Sequence, residues 1–131
     1  MTASLPAGIL VYAKDTDRLA GFYRSLLGLA EVHRGEGLVV LRAPGFEMVV
    51  HGIPAHIAAQ IRITVPPELR EEAALKCFFP VPDLDAAAAT ALALGGRVFD
   101  EQWQGHDFLV RNGHDPEGNI FQLRLASPPA G

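Results

Sequence analysis

Only one cysteine, Cys77, occurs in the chain, so no intrachain disulfide can form and a reducing compartment fits. No apolar run approaches the ~20 residues that a membrane span needs. The opening stretch Met1-Thr2-Ala3-Ser4-Leu5-Pro6 lacks a basic region followed by an apolar segment, so no secretion signal is read there. The cytoplasm is the expected location. Basic residues are outnumbered, 11 Lys and Arg against 15 Asp and Glu, and they form no cluster. A net charge of −4 argues against nucleic acid or an anionic membrane as the main partner. There is no Gly-x-Ser-x-Gly elbow, and Gly35-Glu36-Gly37 is a hairpin turn rather than a phosphate loop. What remains is an ordinary globular composition, 49% hydrophobic and 20% charged over 131 residues, enough for a core without staples.

The pattern along the chain repeats. Residues 9–13 are apolar and β-prone, and Asp15-Thr16-Asp17 follows as a helix start. Leu19, Phe22, Tyr23, Leu26 and Leu27 recur at helical spacing, and Gly28 ends that face. Strands are expected over 30–33, 38–42 and 47–51, punctuated by Gly35, Gly37, Pro44 and Gly45. The same order then returns: a buried strand over 75–81, a helix start at Asp83-Leu84-Asp85, an alanine-rich helix to Leu94, and Gly95-Gly96. Strands are expected again over 97–100, 108–111 and 120–125, with Asp115-Pro116-Glu117-Gly118-Asn119 as the last tight turn. Ala13-Lys14-Asp15-Thr16-Asp17 answers Val81-Pro82-Asp83-Leu84-Asp85, and Phe46-Glu47-Met48 answers Phe121-Gln122-Leu123. The expected class is α+β, with two βαβββ modules over 6–53 and 74–127 and a linker over 54–73. Within the linker, 60–65 is a short strand candidate, while Pro66-Pro67 and the charged run 68–72 mark a surface connection.

The first strand, the Asp-x-Asp helix start, Phe22-Tyr23 and Leu27-Gly28-Leu29 resemble the first module of glyoxalase and bleomycin-resistance proteins, in the vicinal oxygen chelate superfamily. Gly95-Gly96 and the Asp115-Pro116-Glu117-Gly118-Asn119 turn resemble its second module, and that turn is the most specific piece. The resemblance covers all but the ends and the linker. It implies two modules forming a U-shaped mixed sheet around a cavity. It also implies four positions that commonly hold a divalent metal: the start of the first strand and a point on the last strand of each module. Here they fall on Gly8, Glu47, Lys76 and Gln122, with Val49 and His51 as alternatives to Glu47 on the same strand face. Glycine has no side-chain donor, and a lysine ammonium has no lone pair and repels a cation. A divalent site wants at least three donors from His, Asp, Glu or Cys. No bound metal and no cofactor are expected.

Strand alternation puts Lys76, Phe78 and Pro80 on one face and Cys77, Phe79 and Val81 on the other, and the resemblance implies that the first set faces the cavity and the second the helices. Lys76 is expected to stand where the metal would and to come within about 4 Å of Glu47, ready for an anionic ligand. Its plainer alternative is to snorkel to water. Glu47 is a candidate base, or else a solvated edge acid. His51 shares the parity of Glu47; Gln122 shares that of Arg124. Tyr12, Phe78 and Arg111 are further lining candidates, and Trp103, in the polar stretch 101–105, is read as a lid or a dimer contact. His106 and His114 are expected to be exposed, and Cys77 to act as a small apolar residue rather than a nucleophile. Three functions stay open. One is a metal-free protein that encloses a small organic molecule. The second is a lyase, isomerase or dioxygenase using Glu47, His51 and Gln122 around an unusual metal. The third is a dimeric scaffold. A homodimer is expected because half-sized modules leave a broad sheet surface to be closed.

Overall fold

The computed structural model describes residues 5–127. The chain divides after Arg62 into two compact units. In the first, β1 (Ala7–Ala13) leads to α1 (Thr16–Leu27), then β2 (Ala30–Gly35), β3 (Leu38–Ala43), β4 (Phe46–Gly52) and the single turn α2 (Ala55–Ala58). Its sheet has the order β1-β4-β3-β2, with β1 parallel to β4 and the other pairings antiparallel. The Asp15 carboxylate caps α1 by accepting the Arg18 N–H at 3.0 Å, and Gly28 closes the helix at φ +66°. Leu19, Phe22, Tyr23 and Leu26 are buried on α1, which packs on β3 and β4 through their alternate residues Val39, Leu41, Met48 and Val50.

The second unit repeats the plan with β5 (Cys77–Pro80), α3 (Leu84–Ala93), β6 (Arg97–Gln104), β7 (Phe108–His114) and β8 (Ile120–Ala126), ordered β5-β8-β7-β6. Again the strand before the helix lies parallel to the last strand. Asp83 caps α3 through the Ala86 N–H at 2.9 Å. Leu84, Ala87 and Ala91 are the buried positions of α3, and Phe79, Val98, Phe121 and Leu123 of the sheet. The expected α+β class, two βαβββ modules each with a four-stranded mixed sheet, is the observed one. No helix among the described residues is long and apolar enough to cross a membrane.

Several local expectations are corrected. No strand forms over 60–65; the backbone instead continues the turn of α2, with Gln60 N–H donating to Ile57 and Ile61 N–H to Ala58. The β-branched residues there have no neighbouring strand to pair with. β5 begins at Cys77, so Lys76 precedes it and is exposed. β6 runs on past a bulge between Val98 and Gln102 to Gln104, so Trp103 belongs to a strand and not to a loop. Polar residues on both faces of that stretch erase the hydropathy signal of a strand. His114 is buried, with Nδ1 2.9 Å from the Asp115 carbonyl oxygen.

The turn after β7 is the most heavily bonded segment of the second unit. Buried Asp115 accepts the N–H groups of Glu117 (2.8 Å) and Asn119 (3.1 Å) and the Asn119 side-chain amide (2.8 Å). The linker covers it: Arg70 N–H donates to the Gly118 carbonyl at 2.9 Å, and Arg70 Nε to that of Glu117 at 3.3 Å. A Cβ at Gly118, whose φ is +87°, would sit 2.1 Å from the Glu68 carbonyl oxygen, so only glycine fits. Replacing Asp115 with alanine strands several buried donors at once. Asp115→Ala is expected to cost about 3 kcal/mol or more, and Asp115→Asn less, in urea unfolding followed by far-UV circular dichroism.

Candidate functional site

Each sheet has one face under its helix and one face free of it. In the first unit the free face is fixed by register. Gly8 stands opposite Glu47, Leu10 opposite Val49 and Tyr12 opposite His51, while Arg42, Val40 and Leu38 continue the three ranks onto β3. Glu47 is ion-paired to Arg42, which also donates through Nε at 3.2 Å. The Tyr12 and His51 rings meet edge to face at 5.6 Å, and His51 Nδ1 lies 2.9 Å from the Gly52 carbonyl oxygen. Beside this face, a cavity of about 590 Å³ is lined by Pro6, Ala30, Val32, Pro44 and the one cation Arg42. That cation is already neutralised by Glu47.

In the second unit, Phe78, Gln122 and Asn112 form one rank and Pro80, Arg124, Val110 and Trp103 the next. The Arg124 guanidinium carbon lies 3.6 Å from the Phe78 ring centroid and 4.3 Å from that of Phe108. Its Nη2 donates to the Gln122 side-chain oxygen at 3.2 Å. Arg124 Nε and Asn112 Oδ1 are buried without a hydrogen-bond partner. Arg111 has the opposite parity and is not a lining residue. Its Nε donates to the Phe99 carbonyl at 2.7 Å, and its other nitrogens face Asp85 and Asp100 at 3.5 and 3.8 Å. Cys77 also points toward the helix side, beside Phe121, and burial pushes its thiol pKa up, which keeps it protonated and unreactive.

The family model of the glyoxalase-like domain matches residues 8–124. The chain belongs to that family. No curated protein matches it. Among solved structures it is similar to a glyoxalase/bleomycin resistance protein/dioxygenase family enzyme from Burkholderia phytofirmans, with 17% identity, TM-score 0.68, and 91% and 96% of the two chains covered. It is also similar to the fosfomycin resistance protein FosX of Listeria monocytogenes (14%, 0.65, 97% and 94%) and to the bleomycin resistance determinant encoded on transposon Tn5 (19%, 0.61, 94% and 98%). At these identities the likeness shows the fold, that of the vicinal oxygen chelate superfamily.

The four positions that the resemblance assigns to a metal, with Val49 and His51 as alternatives to Glu47, offer it little. Gly8 contributes no atom, and a Cβ there would lie 2.0 Å from the Glu47 carbonyl oxygen, so no donor-bearing side chain fits without moving the backbone. The Glu47 carboxylate is ion-paired to Arg42, because hairpin pairing holds the arginine directly opposite it. Lys76 is exposed. Gln122 is a neutral amide bonded to Arg124. Among the described residues no three His, Cys, Asp or Glu side chains are grouped to hold a metal. This donor set does not fit a divalent ion.

Of the sequence candidates, Tyr12, Glu47 and His51 share one face, and Phe78, Trp103, Gln122 and Arg124 share another. Sequence reasoning missed Arg42, Phe108 and Asn112. Counting outward from Pro44-Gly45 as a two-residue hairpin loop pairs Arg42 with Glu47, and continuing the alternation of Val110 reaches Asn112. The steric reading of Gly8 makes a paired prediction. Gly8→Ala is expected to destabilise by about 1–3 kcal/mol. Gly21→Ala, in α1 with nothing within 4 Å of the new Cβ, is expected to stabilise by roughly 0.5–1 kcal/mol. Thermal unfolding of the two variants beside the parent chain checks both signs.

Proposed function

We propose that this glyoxalase-like protein binds a small organic molecule on its helix-free sheet surface without a resident metal. The observation that carries the reading is the internal pairing of the would-be ligand set. Glu47 is engaged by Arg42 and Gln122 by Arg124, while Gly8 is sterically barred from bearing a donor. The second unit's free face supports it further. Phe78 is 57% and Trp103 42% exposed, more than aromatic rings retain when they serve only a core. Aromatic walls around a few polar groups are what a small-molecule site offers. The bleomycin and fosfomycin resistance proteins are similar in fold, and binding of a small molecule by this chain is proposed on that likeness and on the face itself.

The same proposal includes a homodimer. It is supported by the outer surface of α3, where Ala86, Ala89, Ala93 and a 71% exposed Leu92 offer a thin apolar surface for close packing. Light scattering at micromolar concentration is expected to give twice the chain mass. It also puts the protein in the cytoplasm, on the strength of its single cysteine.

Binding is tested by screening a fragment set against chelator-treated protein, with the emission of Trp103, the one tryptophan, as reporter. Fragments are expected to bind the metal-free chain, with affinities unchanged by added zinc, manganese or iron. Near-stoichiometric metal by elemental analysis, together with binding seen only after metal loading, would sink the reading.

A further inference from the structure

We infer that Arg124 is an anion-reading group, and that the ligand of the second unit's free face is a small carboxylate with an apolar or aromatic body. The inference rests on the binding reading above and names its ligand class.

Among the described residues, three of the nine arginines have carboxylates within ion-pair reach: Arg34 has Asp17 and Glu31, Arg42 has Glu47, and Arg111 has Asp85 and Asp100. Arg124 has none among the described residues, although its Nε–H is shut away from water without an acceptor. A guanidinium keeps its charge at any pH the protein meets, so this cation cannot escape its cost by losing a proton. Burial of an unsatisfied charged donor is unfavourable, and the complement that relieves it is an anion.

The setting also fixes how that anion would be met. Phe78 and Phe108 lie 3.6 and 4.3 Å from the guanidinium carbon, which stabilises the cation and restrains its orientation. Ligand atoms then have the N–H edge to address. A guanidinium edge is a fork of parallel N–H groups that matches the two oxygens of a carboxylate. Nη2 is bonded to the Gln122 side-chain oxygen at 3.2 Å, a neutral acceptor that a carboxylate oxygen outcompetes, and Nε is unmatched.

A second unmatched atom lies on the same strip. Asn112 stands opposite Gln122 on β7, and its Oδ1 is buried without a partner. Two unmet polar atoms of opposite character on neighbouring ranks are hard to explain as packing alone, since buried polar groups are ordinarily paired. A ligand carboxylate matches the Arg124 Nε–H, whereas the Asn112 oxygen takes a donor, which a hydroxyl or amide on the body of the ligand would supply. Around them Pro80, Val110 and Trp103 give the strip an apolar surround, which suits the body of the molecule rather than its charge.

The whole chain is titrated with phenylacetate and with its neutral isostere phenylacetamide. The readouts are Trp103 emission and the Arg124 Nε–H resonance in ¹H–¹⁵N spectra. Phenylacetate is expected to bind about tenfold more tightly than phenylacetamide and to shift the Nε–H resonance, because only the anion forms the charge-assisted fork. Arg124→Gln is expected to erase that preference. Should this variant unfold, the parent's Nε–H shift and the conservative Arg124→Lys, which keeps the charge but loses the fork, still decide the matter. Lysine is expected to narrow the preference to about threefold or less. Equal affinity for the two probes overturns the inference, as does a carboxylate preference that survives Arg124→Gln, and both outcomes leave the binding reading standing. Silence of both reporters toward both probes overturns the inference too. The binding reading falls separately, by the metal dependence described above.

Discussion

A strand sends successive side chains to opposite faces, and in each unit that alternation is enforced by a strand held between two others. β4 lies between β1 and β3, and β8 between β5 and β7. Neither can slip by one residue without burying Glu47 or Gln122 under a helix and exposing Met48 or Leu123 to water. The helices depend on this, since α1 and α3 pack against what the alternation presents. The free faces depend on it equally. Apolar packing on one side of the sheet thus determines which polar groups assemble on the other.

The two units share this plan and diverge in its electrostatics. In the first, the ion pair Glu47–Arg42 crosses a tight hairpin and leaves the face with no uncompensated charge. In the second, the corresponding rank carries Gln122 and Asn112, both neutral, beside an arginine with no acid in ion-pair reach among the described residues. A repeat that conserves backbone and core can still give its two surfaces different electrostatics. Fold and face answer to separate physical demands, and the fold says nothing about which face will be used.

Much of the architecture was legible because it follows from short-range rules. Asp15, Gly28, Asp83 and Gly95-Gly96 bound the helices as capping chemistry requires. The parity of Cys77, Phe78 and Phe79 is the observed one, with Phe79 buried and Phe78 exposed. Reading failed where pairing, not propensity, decides. Residues 60–65 have β-prone side chains but no strand to join, and 101–104 have polar ones yet are held in β6 by β7. The site was half legible for the same reason. Parity put Gln122 and Arg124 on one face, but the Phe78–Arg124–Phe108 stack and the capture of Glu47 by Arg42 arise between strands, where a lone segment carries no signal.

The close approach of β1 to β4 at Gly8 has a consequence for the substitutions open to this chain. The backbone of Glu47 fills the space into which a side chain at Gly8 would grow. Placing a donor there takes more than a change of residue: the two strands must first separate, breaking the parallel ladder that runs from Ala7 to Ala13. Every intermediate on that route bears the clash before it gains a ligand. A single substitution at Gly8 is therefore opposed by main-chain geometry, whatever side chain it brings.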